Sequence, residues 1–203
     1  MRFIQKLITR YRQHYFFRFC INALALYVCW LFIYGNWGFP KGGFDDKVTI
    51  LLGESIKKIS QVMGQQYEVR GIPAYNPVGH VEEYRIVNRN ENLNYEIYIN
   101  DVQSLYIGNG CNGLMVTVLY ICFIIAYPGR WKPKLLFIIM GTLLLYVLNV
   151  IRIIMLTFDF LFDRDLFEFN HKYTYTFILY SVVFLCWMSW VNKYSITANI
   201  AKP

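Results

Sequence analysis

The chain has 203 residues, of which 56% are hydrophobic, 19% are aromatic and only 16% are charged. An ordinary soluble domain carries about 25% charged residues, and it lacks apolar runs long enough to cross a bilayer. The composition therefore excludes an ordinary soluble protein and indicates an integral membrane protein. In a soluble protein the net charge of +7 would suggest a nucleic-acid partner. Here the charges flank apolar segments, so we expect no nucleic acid to bind.

Four segments are apolar enough to cross a bilayer as helices, which takes about 20 residues for ~30 Å of hydrocarbon. The second segment is short, so spanning requires its helix to begin near Cys111. The predicted fold is an all-α polytopic membrane protein of about four transmembrane helices, with a small α+β extracytoplasmic insertion between the first and second helices. The predicted segments are a basic cytoplasmic arm at 1–18, spans at 19–36, 111–127, 135–158 and 172–192, the insertion at 37–110, a cytoplasmic loop at 128–134, an extracytoplasmic loop at 159–171 and a cytoplasmic tail at 193–203.

Basic residues mark one side of the membrane. The arm, the cytoplasmic loop and the tail together contain 10 Lys and Arg and no acid, whereas the rest of the chain holds all 13 Asp and Glu. The positive-inside rule therefore places both termini in the cytoplasm. A signal peptide is the alternative for the N-terminal stretch. Because no small-x-small cleavage site follows Phe32 before Pro40, we expect a retained anchor.

The insertion shows two patterns. Asp45 and Asp46 precede apolar residues spaced by three and four over residues 48–63, which predicts an amphipathic helix with acids in its first turn, where the helix dipole favours them. Residues 81–87 and 93–99 are rich in β-branched and aromatic residues and flank a polar turn. This second pattern predicts a β-hairpin.

Cys111 lies in a Gly- and Asn-rich loop that leads into the second predicted span. A thiol at the start of a helix faces the positive end of the helix dipole, which stabilises a thiolate. The neighbouring glycines let backbone amides approach a developing oxyanion. The alternative to a reactive thiol is that Cys111 is simply a small residue in a tight turn.

The other cysteines fall inside spans, where Cys usually packs as a small apolar residue, so no disulfide is indicated; they are Cys20, Cys29, Cys122 and Cys186.

Two further polar residues stand near the same predicted membrane depth as Cys111. Arg152 is the only charged residue well inside a span, where a charge costs at least ~2.5 kcal/mol and normally has a partner; snorkelling to the interface is the alternative. His171 stands where the extracytoplasmic loop enters the last span, and an imidazole can take a proton from a thiol and return it to a leaving amine. A solvated interfacial histidine is its alternative. Together the three residue types are those that covalent thiol catalysis needs.

The motifs around these residues resemble those of the exosortase and archaeosortase family of membrane cysteine transpeptidases. The matching stretches are Gly110-Cys111-Asn112-Gly113-Leu114, Asn149-Val150-Ile151-Arg152-Ile153 and Asn170-His171. The resemblance covers roughly residues 105–193 and is nearest to short Bacteroidetes forms of the exosortase X or F type. Many family members have more than four spans. In many, Ser or Ala follows the cysteine, where this chain has Asn112.

The resemblance implies an active site on the extracytoplasmic side of the bacterial inner membrane. This site would cut C-terminal sorting signals made of a short motif, a hydrophobic span and a basic tail. Cys111 would form a thioester, and Arg152 and His171 would complete the catalytic site. We expect five further polar or small residues to support these three, namely Asn109, Asn112, Gly113, Asn149 and Asn170.

The implied partners are exported proteins with C-terminal hydrophobic sorting signals, membrane lipids and an envelope acceptor nucleophile. We expect no cofactor and no metal, because the sequence has no Gly-rich nucleotide loop and its three His are scattered without a Cys pair. Two other functions stay open. One is a non-catalytic envelope scaffold that binds a partner, and the other is a membrane acyltransferase that passes a lipid chain through Cys111.

Overall fold

The structure, a computed structural model, describes residues 2–38, 43–63, 69–74, 94–99, 102–108 and 110–194. These residues form helices, two π-helical turns and a small β-sheet. In chain order the elements are α1 (Arg2–Ile33), a first π turn (Tyr34–Gly38), α2 (Phe44–Met63), β1 (Val69–Ala74), β2 (Asn94–Ile99), β3 (Val102–Ile107), α3 (Leu114–Ala126), α4 (Trp131–Phe162), α5 (Arg164–Phe169), a second π turn (Asn170–Thr174) and α6 (Tyr175–Tyr194).

Within the described residues, three helical segments are long and apolar enough to cross a membrane, and they contain three of the four predicted spans. They are Phe16–Trp37, Trp131–Phe160 and Arg164–Tyr194. Helix α3 is apolar but has only 13 residues, which gives ~20 Å at ~1.5 Å per residue. The expectation that this helix begins near Cys111 is wrong. Gly113 has a φ of 77°, outside the helical region, and the side chain of Asn112 accepts a hydrogen bond from the backbone N–H of Leu114.

The chain divides into two compact units. The first unit is drawn from residues 1–32, 115–146 and 177–203, and several aromatic rings contact one another within it. The ring of Phe19 stacks on Trp187 with centroids 5.0 Å apart. Lys134 is buried, and its Nζ donates a hydrogen bond of 2.9 Å to the carbonyl of Ile125. The same Nζ lies 4.9 Å from the ring centroid of Trp131, so this buried cation has both a hydrogen bond and an aromatic face.

The second unit comprises residues 33–114 and 147–176 and contains the β-sheet. The strand order is β1-β2-β3, and both pairs are antiparallel. Strand β2 falls within the predicted strand at 93–99, whereas residues 81–87, the other predicted strand, lie outside the described residues. The partners of β2 are instead β1 and β3, neither of which the sequence pattern predicts.

Helix α2 packs against β2 through a close contact between a glycine and an aromatic ring. An added Cβ at Gly53 would meet the ring of Tyr95, and Tyr95 is fully buried. The hydroxyl of Tyr95 donates a hydrogen bond of 2.7 Å to Glu54 on the same helix. On α2, Leu52 and Ile56 are also buried. The apolar side of the amphipathic helix is therefore covered at least in part by protein.

Gly53→Ala tests this contact. Because the new methyl group would overlap the buried Tyr95 ring, we expect the free energy of unfolding to fall by about 1 to 3 kcal/mol, the usual cost of overpacking. Gly35→Ala is the matched control, because its added Cβ meets no atom within 4 Å. Thermal unfolding in detergent micelles measures both variants. Equal melting temperatures for the two would contradict the packing described.

Candidate active site

Cys111 lies in a tight turn between β3 and α3. Its backbone N–H donates a hydrogen bond of 2.9 Å to the carbonyl of Gly108, which closes a four-residue β-turn. The thiol is partly exposed, and none of the five cysteines forms a disulfide. Two residues later, the positive φ of Gly113 turns the chain into α3. The sequence placed the thiol on the first helical turn, whereas the structure places it three residues before the helix.

Asn149, on α4, binds the backbone of this turn. Its Nδ2 donates a hydrogen bond of 3.1 Å to the carbonyl of Cys111, and the side chain is almost fully buried. A Cβ at Gly113 would lie 2.9 Å from the same Nδ2. Glycine is therefore required at position 113 for two reasons, the backbone conformation and the close approach of Asn149.

Arg152 lies one helical turn beyond Asn149 and is only 9% exposed. One of its terminal nitrogens donates a hydrogen bond of 3.4 Å to Oδ1 of Asn149. Asn149 therefore connects the guanidinium to the Cys111 carbonyl through its two amide atoms. Within the described part of the chain, the Nε of Arg152 is buried without a hydrogen-bond partner. The guanidinium thus holds an unused donor next to the turn that carries the thiol.

His171 lies in the second π turn and reaches the thiol of Cys111. Its Nε2 is 3.5 Å from Sγ of Cys111, and its ring is stacked on Phe167 at 5.7 Å between centroids. The neighbouring Asn170 donates a hydrogen bond of 2.9 Å to Asp159 near the end of α4. The ring stacking orients the imidazole, and this hydrogen bond connects the start of the π turn to α4. π-Helical turns of this kind often occur at functional sites.

A further buried cluster holds Asn112, the residue after the thiol. The Nδ2 of Asn112 donates hydrogen bonds to Oδ1 of Asp45 and to Oγ1 of Thr49, both on α2. The other carboxylate oxygen of Asp45 accepts a hydrogen bond of 3.0 Å from the hydroxyl of Tyr34. Asp45 and Thr49 are fully buried, and Asn112 is 4% exposed. Side-chain hydrogen bonds thereby connect helix α2 to the Cys111 turn.

The carboxyl group of Asp45 is a buried acid held by neutral donors. Burial raises its pKa above the ordinary value, and the nearby charge of Asp46 adds to the rise, whereas the hydrogen bonds from Asn112 and Tyr34 oppose it. The folded state therefore binds a proton at Asp45 more readily than the unfolded state does. By linkage, stability falls as the pH rises from the ordinary pKa of this carboxyl group through its raised value.

The structure brings together most of the residues that the sequence singles out. Cys111 and His171 lie side by side, and Asn149 joins Arg152 to the same turn. The supporting residues Asn112, Gly113 and Asn170 each have a defined contact, whereas Asn109 lies outside the described residues.

Sequence reasoning missed Asp45 and Thr49 as neighbours of the site. The acid at the start of α2 was fully explained by the helix dipole, so no signal in the sequence pointed from α2 to the cysteine. Among the described residues, no group of three or more His, Cys, Asp or Glu side chains could hold a metal ion.

The fold and the site are those of a multi-pass membrane protein in which the thiol of Cys111 lies beside the imidazole of His171. A family model described as transmembrane exosortase matches residues 87–190, about half of the chain, and this match includes Cys111, Arg152 and His171. The chain therefore belongs to the transmembrane exosortase family. Neither the curated proteins nor the solved structures include a match to the chain. The X or F subtype stays a prediction.

Gly113→Ala tests how the turn is held. The variant would strain the backbone at a positive φ and press a methyl group against Asn149, so we expect the free energy of unfolding to fall by about 1 to 3 kcal/mol. We also expect Cys111 to react with iodoacetamide at a changed rate, measured by peptide mass spectrometry. Gly110→Ala is the control in the same turn, because its Cβ meets no atom within 4 Å. Equal effects of the two changes would contradict the described role of Gly113.

Proposed function

We propose that the protein is a membrane-embedded cysteine peptidase or transpeptidase that cleaves C-terminal sorting signals of exported proteins through a thioester on Cys111. The observation that carries the proposal is the 3.5 Å separation between Sγ of Cys111 and Nε2 of His171. At this separation an imidazole can remove the thiol proton, and the thiolate is the reactive nucleophile. Membership of the exosortase family supports the substrate class.

In the proposed reaction, His171 takes the thiol proton and the sulfur of Cys111 attacks the scissile carbonyl carbon. The carbonyl electron pair moves to oxygen, which becomes an oxyanion. When the intermediate collapses, the C–N bond breaks, the imidazolium gives its proton to the leaving amine, and the acyl group stays on sulfur. A second nucleophile, either water or an acceptor amine or hydroxyl, then attacks the thioester. Its proton passes through His171 to the departing thiolate.

Arg152 supplies positive charge for this chemistry. A buried donor without a partner costs free energy unless a ligand satisfies it, and the Nε of Arg152 has none among the described residues. A substrate carbonyl oxygen would satisfy it. In a site shielded from water, a fixed cation stabilises both a thiolate and an oxyanion more strongly than it would in solution.

The distribution of charge supports an orientation for the proposed enzyme. All Asp and Glu lie outside the basic arm at 1–18, the loop at 128–134 and the tail at 193–203. This distribution favours cytoplasmic termini and an extracytoplasmic site in the bacterial inner membrane. On that side the enzyme would meet exported proteins after translocation. Their hydrophobic signal would lie in the membrane beside the spans, and the acceptor nucleophile would come from the envelope or from a lipid.

The acyl-enzyme is the first test of this proposal. Purified protein in detergent, mixed with candidate sorting-signal proteins from the same genome, should yield a peptidyl thioester on Cys111 by mass spectrometry. Cys111→Ser should abolish this adduct, because serine cannot form a thioester. His171→Ala should slow its formation by about 10²-fold or more, the usual contribution of general acid–base catalysis. Cys29→Ser and His80→Ala are the control variants, because Cys29 is a free, exposed cysteine and the proposal assigns no role to either residue.

Each other outcome favours a different function. A folded protein whose Cys111 stays unmodified with every candidate would favour the envelope scaffold. A fatty-acyl mass on Cys111 would favour the acyltransferase. Substrate cleavage that persists in Cys111→Ser would overturn the proposed nucleophile.

Arg152→Lys tests the role of the guanidinium. Lysine keeps the charge but loses the planar fork of donors, so we expect the rate of thioester formation to fall by about 10²-fold, as when an oxyanion donor is removed. Arg164→Lys is the matched control, since Arg164 is exposed and its guanidinium lies over the ring of Phe160. Release of the sorting signal in proteoliposomes measures the rate. Equal rates for the two variants would contradict a role for the guanidinium donors of Arg152.

A further inference from the structure

The side-chain amide of Asn112 is held in one orientation. Both hydrogens of its Nδ2 have acceptors, Oδ1 of Asp45 and, at 3.1 Å, Oγ1 of Thr49. Its Oδ1 accepts a hydrogen bond of 3.0 Å from the N–H of Leu114. An ionised carboxylate only accepts hydrogen bonds, so Asp45 requires the nitrogen of this amide to point toward α2 and the oxygen to point toward α3.

The acceptor on α2 is itself fixed. The second oxygen of Asp45 takes a hydrogen bond of 3.0 Å from the hydroxyl of Tyr34 in the first π turn. The carboxylate is fully buried, and each of its two oxygens has a hydrogen-bond donor. Asp45 is thus a rigid acceptor, 67 positions away from Asn112 in the chain, and it anchors the residue next to the thiol.

The peptide that carries the thiol therefore has supports on two sides. Asn149 holds the carbonyl of Cys111, and Asp45 holds the following residue, Asn112. The thiol and His171 are 3.5 Å apart, and proton transfer between two groups is highly sensitive to such a distance. A turn that lost its support from α2 could rotate the thiol away from the imidazole without unfolding.

We infer that Asp45, together with Thr49, is a positioning residue for Cys111, because it holds Asn112 and through it sets the distance between the Cys111 thiol and the His171 imidazole. Asp45 does not touch the reacting atoms. The inference deepens the proposed function and rests on it for its catalytic meaning. The pairing of thiol and imidazole can nevertheless be measured without any substrate.

The test compares folded variants in detergent by the rate at which iodoacetamide alkylates Cys111 at neutral pH, measured by peptide mass spectrometry. Asp45→Ala removes the acceptor and should lower this rate to that of His171→Ala. Asp45→Asn keeps an acceptor oxygen and should restore most of the wild-type rate. Glu54→Ala is the matched control, because this acid on the same helix binds Tyr95 of the sheet and should leave the rate unchanged.

A double variant separates positioning from general loosening of the fold. In the His171→Ala background, Asp45→Ala should cause no further slowing, because there is no imidazole left to pair with the thiol. Equal slowing in both backgrounds would show a change in access to the thiol and would overturn the inference. A wild-type rate in folded Asp45→Ala would also overturn it.

A milder change serves if Asp45→Ala fails to fold. Thr49→Val removes only the second acceptor of Asn112 and should slow alkylation in the same direction, and an unchanged rate would overturn the inference. Failure of this inference can be distinguished from failure of the proposed function. If wild-type protein forms no thioester with any sorting signal, the proposed function fails, whereas the alkylation rates still report whether Asp45 positions the thiol.

Discussion

The hydrogen bond from Asn149 to the carbonyl of Cys111 is the contact on which the geometry of the site depends. A tight turn has few backbone hydrogen bonds of its own, and the positive φ of Gly113 prevents α3 from extending back to supply more. Side chains from other elements must therefore hold the turn. Asn149 does so from α4 and leaves its amide oxygen for Arg152. The buried amide of Asn149 thus connects the guanidinium of Arg152 to the Cys111 turn, which leads into α3.

Two buried charged groups near this turn are stabilised in different ways. The carboxylate of Asp45 accepts hydrogen bonds from Tyr34 and Asn112, so its burial is offset by contacts within the protein. Arg152 keeps an Nε with no partner in the described part of the chain. A charge whose hydrogen bonds are satisfied suits a fixed support. In the proposed reaction, the free donor of Arg152 would bind an oxygen of the substrate.

Local sequence patterns predicted the helices well and the contacts between elements poorly. The apolar runs at 135–158 and 172–192 lie in long apolar helical segments, and the periodicity over 48–63 corresponds to α2. The start of α3 was expected near Cys111 because a span needs about 20 residues, but Gly113, with its φ of 77°, keeps the helix from beginning before Leu114. Strands β1 and β3 were missed, since short strands acquire their stability from partners elsewhere in the chain.

By itself the sequence determined that this is a membrane protein, that a thiol stands at a glycine-rich turn, and that a histidine and an arginine accompany it. These conclusions follow from composition, run length and residue type, which are local properties. Only the tertiary structure decided that His171 reaches Cys111 and that Asp45 holds Asn112 across 67 positions. The physical reason is that hydrogen bonds between distant residues depend on how helices pack. Helical periodicity shows which face of a helix is apolar, but it does not show which element packs against that face.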